Sequence, residues 1–330
     1  MNSFGRLFRV HIFGESHGEC TGITIDGCPP GLSLSPEDLL PDMERRKGGK
    51  QKGATPRQEE DYPIFKSGVF NGKTTGFPIT ILFENKNTRS EDYNKQRSIP
   101  RPGHADWVAH QKFGGHEDYR GGGHFSARLT TGIVAAGAIA KKLMPSISVA
   151  AAVISIAGET DLEKGLQKGI DAKDSVGGII GCRASGLPAG LGEPYFDSVE
   201  SVLSHILFAI PAVKGVEFGA GFAAAHMFGS EHNDAIENME GKTRTNHAGG
   251  IVGGISNGNE LVFRLAVKPT SSTPKEQNSL NWDTGVTEDF SIKGRHDLCV
   301  ALRAPVIVEA VTALVIADFM LQQQMIKRVL

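Results

Sequence analysis

The sequence predicts an α+β fold in one domain, and three observations lead to this prediction. Seven runs of alternating or β-branched apolar residues are typical of strands, at residues 9–12, 22–25, 77–83, 147–156, 178–182, 215–218 and 260–268. These runs are not regularly interleaved with helical segments, as a parallel α/β sheet would require. No low-complexity linker or short-period repeat divides the 330 residues, so we expect one domain over residues 1–330.

The strongest helical pattern begins at Ala127, where apolar side chains recur at helical spacing. Ser126 is suited to cap its N-terminus and Pro145 to stop it. A further helix is expected over residues 198–208, before Pro211.

Proline positions shape two other predicted helices. Pro305 suits the first turn of a helix over residues 305–323. The apolar run of this helix is interrupted by acidic residues and is too short to cross a bilayer comfortably, so we expect a buried helix. An early helix is expected from about residue 35 to Gly48-Gly49, with a kink at Pro41.

The overall charge argues against binding to polyanions. The 35 basic and 37 acidic residues nearly cancel, so a global surface for nucleic acid or an anionic membrane is not expected. The four cysteines have neither CxxC nor Cys/His ligand spacing, and the N-terminus lacks a signal-like segment. We therefore expect a reduced, cytoplasmic setting and no metal site.

Two histidines stand on glycine-containing turns. His17 follows a predicted strand in Phe13-Gly14-Glu15-Ser16-His17-Gly18, and His104 follows Pro102-Gly103, with Asp106 close enough in sequence to orient its ring. An imidazole presented by a rigid turn can exchange protons near neutral pH. Each alone is as well explained by an ordinary loop histidine, whereas together they suggest a pair of proton-transfer groups.

A glycine-rich loop, Arg120-Gly121-Gly122-Gly123, leads into the helix at Ala127. Backbone N–H groups at a helix start favour anions. The spacing fits neither the dinucleotide fingerprint GxGxxG nor the P-loop GxxxxGK[ST]. The sequence therefore predicts an anion site of another kind.

Basic residues recur in loops punctuated by glycine and proline. Residues 44–52 carry five positive charges at a helix end, which a solvated helix cap would also explain. Arg57, Arg101 and Arg120 lie in further such loops, an arrangement suited to a ligand with phosphate and carboxylate groups. The sequence holds no two histidines three or four residues apart, which disfavours a zinc enzyme, and a serine hydrolase is also not expected.

Taken together, these segments resemble the chorismate synthase family from residue 4 to the C-terminal helix. The matching stretches, in order, are residues 13–18, 26–31, 45–46, 101–106, 118–123, 126–128, 246–254, 268–272 and 294–297. The resemblance implies a β-α-β sandwich that assembles as a homotetramer. It also implies conversion of 5-enolpyruvylshikimate 3-phosphate to chorismate by 1,4-elimination of phosphate, with reduced FMN although the overall reaction is redox-neutral.

The resemblance also implies residue roles. His17 would protonate the departing phosphate, His104 would protonate or stabilise the flavin, and Asp297 would help take the substrate proton through the flavin. The implied cofactor-binding residues are His124, Phe125, Ser126, Pro211, Ala212, Gly253, Lys268, Pro269, Thr270, Ser271, Ser272 and Arg295. Arg46 and Lys52 match a basic pair for a phosphate-bearing ligand, described as NADPH in some members, and Arg45, Arg101 and Arg128 are further candidates for the substrate's anionic groups.

The chain departs from the family pattern at the glycine loop. His124-Phe125-Ser126 stands where the family usually has Arg-Ser-Ser, which removes a permanent charge and a hydroxyl. Lys52 replaces an arginine found in many members and loses the bidentate fork. The resemblance is weakest over residues 145–195.

Two other functions remain open on the sequence. The Arg46/Lys52 pair would also suit a flavin reductase or another NAD(P)H oxidoreductase, and a separate flavin reductase could serve as a partner. The arginine-bearing loops alone would suit a non-catalytic anion- or RNA-binding protein, which the near-neutral charge and the 7% aromatic content disfavour.

Overall fold

The computed structural model describes residues 2–47, 53, 59–87, 98–292 and 297–330. The strands are β1 Ser3–Phe4, β2 Arg9–Gly14, β3 Cys20–Asp26, β4 Ile64–Ser67, β5 Val69–Phe70, β6 Lys73–Thr74, β7 Ile79–Glu84, β8 Ser148–Ile156, β9 Gly178–Ser185, β10 Val213–Phe218, β11 Ile251–Val252, β12 Ile255–Ser256, β13 Leu261–Val267, β14 Gln277–Asn281 and β15 Val286–Phe290. The α-helices are α1 Leu40–Arg46, α2 Asp106–Phe113, α3 Thr130–Leu143, α4 Leu162–Ala172, α5 Val199–Leu207, α6 Gly229–His232 and α7 Pro305–Gln322.

Two antiparallel sheets carry the fold. The first has the strand order β1-β2-β3-β7-β4, and the second has the order β10-β13-β9-β8. Burial alternates along β13 and β8, so these two strands of the second sheet turn one face towards the interior. Short hairpins, including β11–β12 and β14–β15, project from this framework.

The core lies between the two sheets. Helix α3 packs on β3 and β7 of the first sheet, α7 packs on β8 and β9 of the second, and the two helices pack on each other. Both helices are buried along almost their whole length. The predicted α+β class and the helices between antiparallel sheets are confirmed.

The predicted cap at Ser126 is confirmed, but the predicted kink at Pro41 is wrong. Ser126 Oγ accepts a hydrogen bond from Arg128 N at the turn preceding α3, and Ser198 Oγ does the same from Ser201 N in α5. A 3₁₀ turn over Pro36–Asp38 ends before α1 begins, so Pro41 lies in the first turn of α1. Proline is tolerated there because the first-turn N–H has no helical partner.

Other predicted boundaries need smaller corrections. Strand β7 begins at Ile79, after Pro78, which has no N–H to donate to a sheet. The predicted end of the early helix at Gly48-Gly49 lies outside the described residues. Helices α2 and α4 and the hairpin β14–β15 were not predicted, and α4 carries two glycines that lower its helix propensity.

Among the described residues, α7 is the one helix whose length and apolar character would allow it to span a membrane, and 78% of it is buried. Its neighbours α3, α5 and β8 cover it on several sides. Burial between the sheets accounts for its apolar composition.

Glycine at position 137 permits the close approach of α3 and α7. A Cβ added there would lie 2.3 Å from Ala310 Cβ and 2.4 Å from Ala310 Cα. Glycine to alanine within a helix ordinarily stabilises by about 1 kcal/mol. We expect Gly137→Ala to lower the free energy of unfolding by about 1–3 kcal/mol instead, because overpacking forces the helices apart.

Urea unfolding followed by circular dichroism measures this change. Gly229→Ala is a suitable control, since no atom lies within 4 Å of the added Cβ in α6. A Gly137→Ala protein as stable as the original chain would contradict the packing argument.

Candidate active site

The turn between β2 and β3 holds His17. Gly14, at φ +93°, ends β2, and Asn85 Nδ2 donates to the carbonyls of Glu15 and Gly18 at 3.0 and 2.9 Å. Ser16 N donates to Gly123 O at 3.1 Å. The turn is therefore fastened both to the end of β7 and to the glycine loop, and His17 is only 7% exposed.

Ser16 also orients the His17 ring. Its hydroxyl donates to Arg120 O at 3.2 Å and lies 3.0 Å from His17 Nδ1. Because the single hydroxyl hydrogen points to the carbonyl, the Ser16 oxygen accepts from Nδ1–H. This places the proton of a neutral His17 on Nδ1, so Nε2 is the atom that can exchange a proton.

The glycine loop brings the two predicted histidines together. Gly121, Gly122 and Gly123 all have positive φ values. A Cβ on Gly121 would lie 2.2 Å from Cε1 of His17, and a Cβ on Gly122 would lie 3.2 Å from Cε1 of His104. Consecutive glycines thus contact one imidazole each, and both positions require the absence of a side chain.

The turn carrying His104 is fastened by several hydrogen bonds. His104 N donates to Arg101 O at 3.1 Å, and His104 Nδ1 lies 2.5 Å from Asp106 Oδ1. The carbonyl of Gly103 accepts from Lys268 Nζ at 3.0 Å and from Ser271 Oγ at 2.7 Å. Lys268 and Ser271, predicted to bind the cofactor, therefore also hold the His104 turn.

A cleft of about 1110 Å³ opens beside the glycine loop. Its lining includes His104, Gly122, His124, Phe125, Phe113 and Trp282. Single small-molecule sites usually measure about 300–1,000 Å³. The cleft is therefore at the upper limit of the usual size of a small-molecule site.

The three residues after the glycines have different surroundings. His124 Nδ1 lies 2.8 Å from Gly14 O, which can only accept, so this nitrogen carries a hydrogen and ties the loop to β2. Phe125 and Phe113 both line the cleft, and their ring centroids are 6.2 Å apart. Ser126 caps the helical turn that precedes α3.

The loop of residues 268–272 adjoins this turn. Ser272 Oγ accepts from Arg101 Nη1 at 3.3 Å, and the Lys268 N–H donates to Ala212 O at 2.9 Å. Thr270 Oγ1 is buried and has no hydrogen-bond partner within the described part of the chain. Burial and nearby Lys214 lower the pKa of Lys268.

Arg46 and Arg128 share one buried carboxylate. Arg46 Nη2 lies 2.5 Å from Asp61 Oδ2, and Arg128 Nη1 donates to Asp61 Oδ1. Burial would raise the pKa of Asp61, but the two guanidinium groups outweigh it and lower that pKa. The carboxylate therefore stays ionised between two predicted phosphate-binding arginines.

The other basic candidates lie elsewhere. Arg45 makes a bidentate pair with Glu309 of α7 at 2.7 Å, and Arg101 pairs with Asp106. Of the described basic candidates, Arg45, Arg46, Arg101 and Arg128, none lines the cleft. Lys52 lies outside the described residues.

Arg303, which was not predicted as a site residue, links Asp297 to Arg46. Arg303 Nη1 donates to Asp297 Oδ2 at 3.2 Å, and Arg303 Nε donates to Arg46 O at 3.0 Å. Pro211 lines a cavity of about 20 Å³ beside Arg46 and Arg303. The structure thus groups Asp297, Arg46 and Pro211, while the predicted cofactor residue Arg295 lies outside the described residues.

Two predicted cofactor residues are placed by backbone geometry. Gly253 lies in the β11–β12 hairpin with open space around its Cβ position, and it does not line the cleft. Pro269 packs against Gly177. Pro269 is therefore positioned by the second sheet, and the described contacts do not bring Gly253 to the histidines.

Sequence reasoning missed Ser16, Asp61 and Arg303. Ser16 adjoins His17, so its role could have been suspected from adjacency alone. Asp61 and Arg303 lie 67 and 6 residues from the groups they contact, Arg128 and Asp297. No local pattern marks them as partners.

His104 lines the cleft, whereas His17 does not line it but contacts the same glycine loop. Two imidazoles on rigid turns are the arrangement expected of an acid–base enzyme. A family model described as chorismate synthase matches residues 8–321. The chain belongs to the chorismate synthase family, whose members are carbon–oxygen lyases that remove phosphate from their substrate.

The relatives cover the whole chain. A chorismate synthase of Chitinophaga pinensis is 67% identical over 330 residues, covering 100% of this chain and 99% of the relative. One from Dehalococcoides mccartyi strain BAV1 is 43% identical over 360 aligned positions, with 100% and 99% coverage. A crystal structure titled chorismate synthase superposes with a TM-score of 0.73 at 26% identity, covering 97% of this chain and 93% of that one.

Proposed function

We propose that this protein catalyses the 1,4-elimination of phosphate from 5-enolpyruvylshikimate 3-phosphate to give chorismate, with reduced FMN as cofactor. The observation that carries the proposal is the contact of His17 and His104 with consecutive glycines of one loop. Two proton-transfer groups are thereby held at one place, although 87 residues separate them in the chain (104 − 17).

In this proposal His17 donates a proton from Nε2 to the departing phosphate oxygen, which makes the C–O bond easier to break. Asp118 interacts electrostatically with the His17 ring: burial raises the pKa of Asp118, but hydrogen bonds from Arg120 and, to a smaller extent, the charge of His17 lower it, so the carboxylate stays ionised. Asp297 accepts the proton that the substrate loses, with Arg303 holding its carboxylate in place.

The residues of the cleft fit a flavin. The lining combines aromatic side chains with His104 and His124. Reduced FMN supplies electron density that eases C–O cleavage when it is bound. His124, Phe125, Ser126 and the loop of residues 268–272 would hold it, with Pro211, Ala212, Gly253 and Arg295 as further members of the proposed site.

His104 has a separate proposed role. It lines the cleft beside Gly122, and we assign it to protonating or stabilising the flavin. Arg46 and Arg128, with Lys52, are proposed to bind the phosphate or carboxylates of the substrate, or the phosphate of NADPH where that reductant is used. Arg45 and Arg101 are further candidates for the same anionic groups, and all four of these arginines are paired with acidic side chains.

The proposed assembly is a homotetramer of single-domain chains. Several large apolar side chains cluster along residues 195–239 and are almost fully exposed, among them Phe196 at 93% and Met239 at 99%. Exposed apolar groups of this size are typical of surfaces that a partner covers. All four cysteines are free thiols, which supports a reducing, cytoplasmic location. A separate flavin reductase is the remaining proposed partner.

An anaerobic assay tests the proposed reaction. We expect purified protein with chemically reduced FMN and 5-enolpyruvylshikimate 3-phosphate to release phosphate and form chorismate in equal amounts. Oxidised FMN without a reductant serves as the control and should give no product. Absence of phosphate release with reduced FMN would contradict the proposal, and steady NADPH oxidation without substrate would favour a flavin reductase.

A further inference from the structure

Asp106 lies directly against His104, whose ring the sequence suggested it could orient. Its Oδ1 is 2.5 Å from His104 Nδ1 and 2.8 Å from Arg101 Nη2. Its Oδ2 accepts from Arg101 Nε at 2.7 Å and from Arg101 N at 3.0 Å. Each carboxylate oxygen therefore faces two nitrogen atoms, and the side chain is 11% exposed.

These contacts decide where the His104 proton lies. Arg101 Nη2 is also 3.1 Å from His104 Nδ1, but a guanidinium can only donate. If Nδ1 were a bare lone pair, it would face an ionised carboxylate oxygen at 2.5 Å, which is repulsive. Nδ1 must therefore carry a hydrogen and donate it to Asp106, while Nε2 lies towards Gly122 and the cleft.

The charge of Asp106 is maintained by its surroundings. Burial would raise the pKa of this carboxyl, but hydrogen bonds from Arg101 and then His104 outweigh burial and hold the pKa well below its ordinary value. Arg101 is itself 3% exposed and places Nη1 on Ser272 Oγ. The Arg101 guanidinium is therefore fully engaged by Asp106 and Ser272, which explains why Arg101 does not line the cleft.

We propose that Asp106 is the positioning residue of His104, holding the ring in the tautomer with hydrogen on Nδ1 and presenting Nε2 to the cleft, with Arg101 as its buried counter-ion. The structural part of this inference is independent of the reaction. Its kinetic part rests on the proposed function of His104.

The variant Asp106→Asn makes the inference testable. An amide has only one oxygen, which best replaces Oδ2, because both groups that face Oδ2 are permanent N–H donors of Arg101. Oδ1 faces one such donor, Arg101 Nη2, and the His104 ring, which can change tautomer. The amide NH₂ then replaces Oδ1 and donates to His104 Nδ1. Donation to Nδ1 forces the ring hydrogen onto Nε2, so the variant should hold the opposite tautomer while keeping the shape of the site.

Nitrogen-15 NMR of histidine-labelled protein distinguishes the tautomers, with the His104 signals identified by their loss in His104→Ala. We expect the neutral His104 ring of the unaltered protein to be protonated on Nδ1 and that of Asp106→Asn on Nε2. Ser272→Ala is the matched control, because it removes a hydrogen-bond partner of Arg101 but leaves the carboxylate. It should keep the original tautomer.

In the anaerobic assay we expect Asp106→Asn to lower kcat by roughly 10²–10⁴-fold, with KM changed only a few-fold. An Nε2-protonated ring in the unaltered protein, which needs no variant to fold, would overturn the inference, as would an unchanged tautomer in Asp106→Asn. If the proposed function failed, the unaltered protein would be inactive while the tautomer result stood. The two failures are therefore distinguishable.

Discussion

Replacement of His17 or His104 by alanine is expected to lower kcat by roughly 10²–10⁴-fold, the scale typical of general acid–base groups. Both rings are held by specific partners, Ser16 in one case and Asp106 in the other. A loss at this scale requires a group that acts in the transition state, whereas loss of binding alone would raise KM and leave kcat unchanged.

The measurement is phosphate release in the anaerobic assay at saturating substrate. His116→Ala is the matched control, because His116 lines the same cleft, is exposed, and does not contact the glycine loop at positions 121 and 122. It should retain kcat within a few-fold. Near-normal turnover in both His17→Ala and His104→Ala would remove the proposed proton-transfer roles.

Gly121→Ala is expected to reduce kcat by about 10²-fold or more without removing any functional group. The added methyl would lie 2.2 Å from Cε1 and 2.4 Å from Nδ1 of His17, so the ring or the loop must move. Displacement of a catalytic group by about 1 Å can cost about 10²-fold in rate. Left-handed backbone at φ +61° adds a further cost of about 1–2 kcal/mol in stability.

Gly72→Ala separates these two effects. Gly72 has φ +71°, but no atom lies within 4 Å of its Cβ position. We expect it to lose about 1–2 kcal/mol of unfolding free energy and to keep its kcat. Equal kcat losses in the two variants would show that backbone strain, rather than contact with His17, limits activity.

Most of the fold was predictable because its signals are local. Alternating apolar residues gave strands such as β3 and β13, and Ser126 and Ser198 marked helix starts through hydroxyls that accept nearby N–H groups. The kink at Pro41 was wrongly predicted because one residue position decides whether a proline lies inside a helix or in its first turn.

The site was predictable only in part. Adjacent arginines show the reason: successive helical side chains point about 100° apart, so Arg45 reaches Glu309 on α7 whereas Arg46 reaches Asp61. The sequence shows two arginines at a helix end. It does not show which of them meets a distant carboxylate.

The sequence by itself determined the turns that carry His17 and His104, the glycine loop, and the family resemblance, because these depend on neighbouring residues in one segment. Only the tertiary structure decided that the two imidazoles contact Gly121 and Gly122, that Asp106 fixes the His104 tautomer with Arg101, and that Asp61 lies between Arg46 and Arg128. Such contacts join segments that are distant in the chain and that meet because two sheets pack around α3 and α7. The spacing of residues along the sequence does not show which distant side chains will meet.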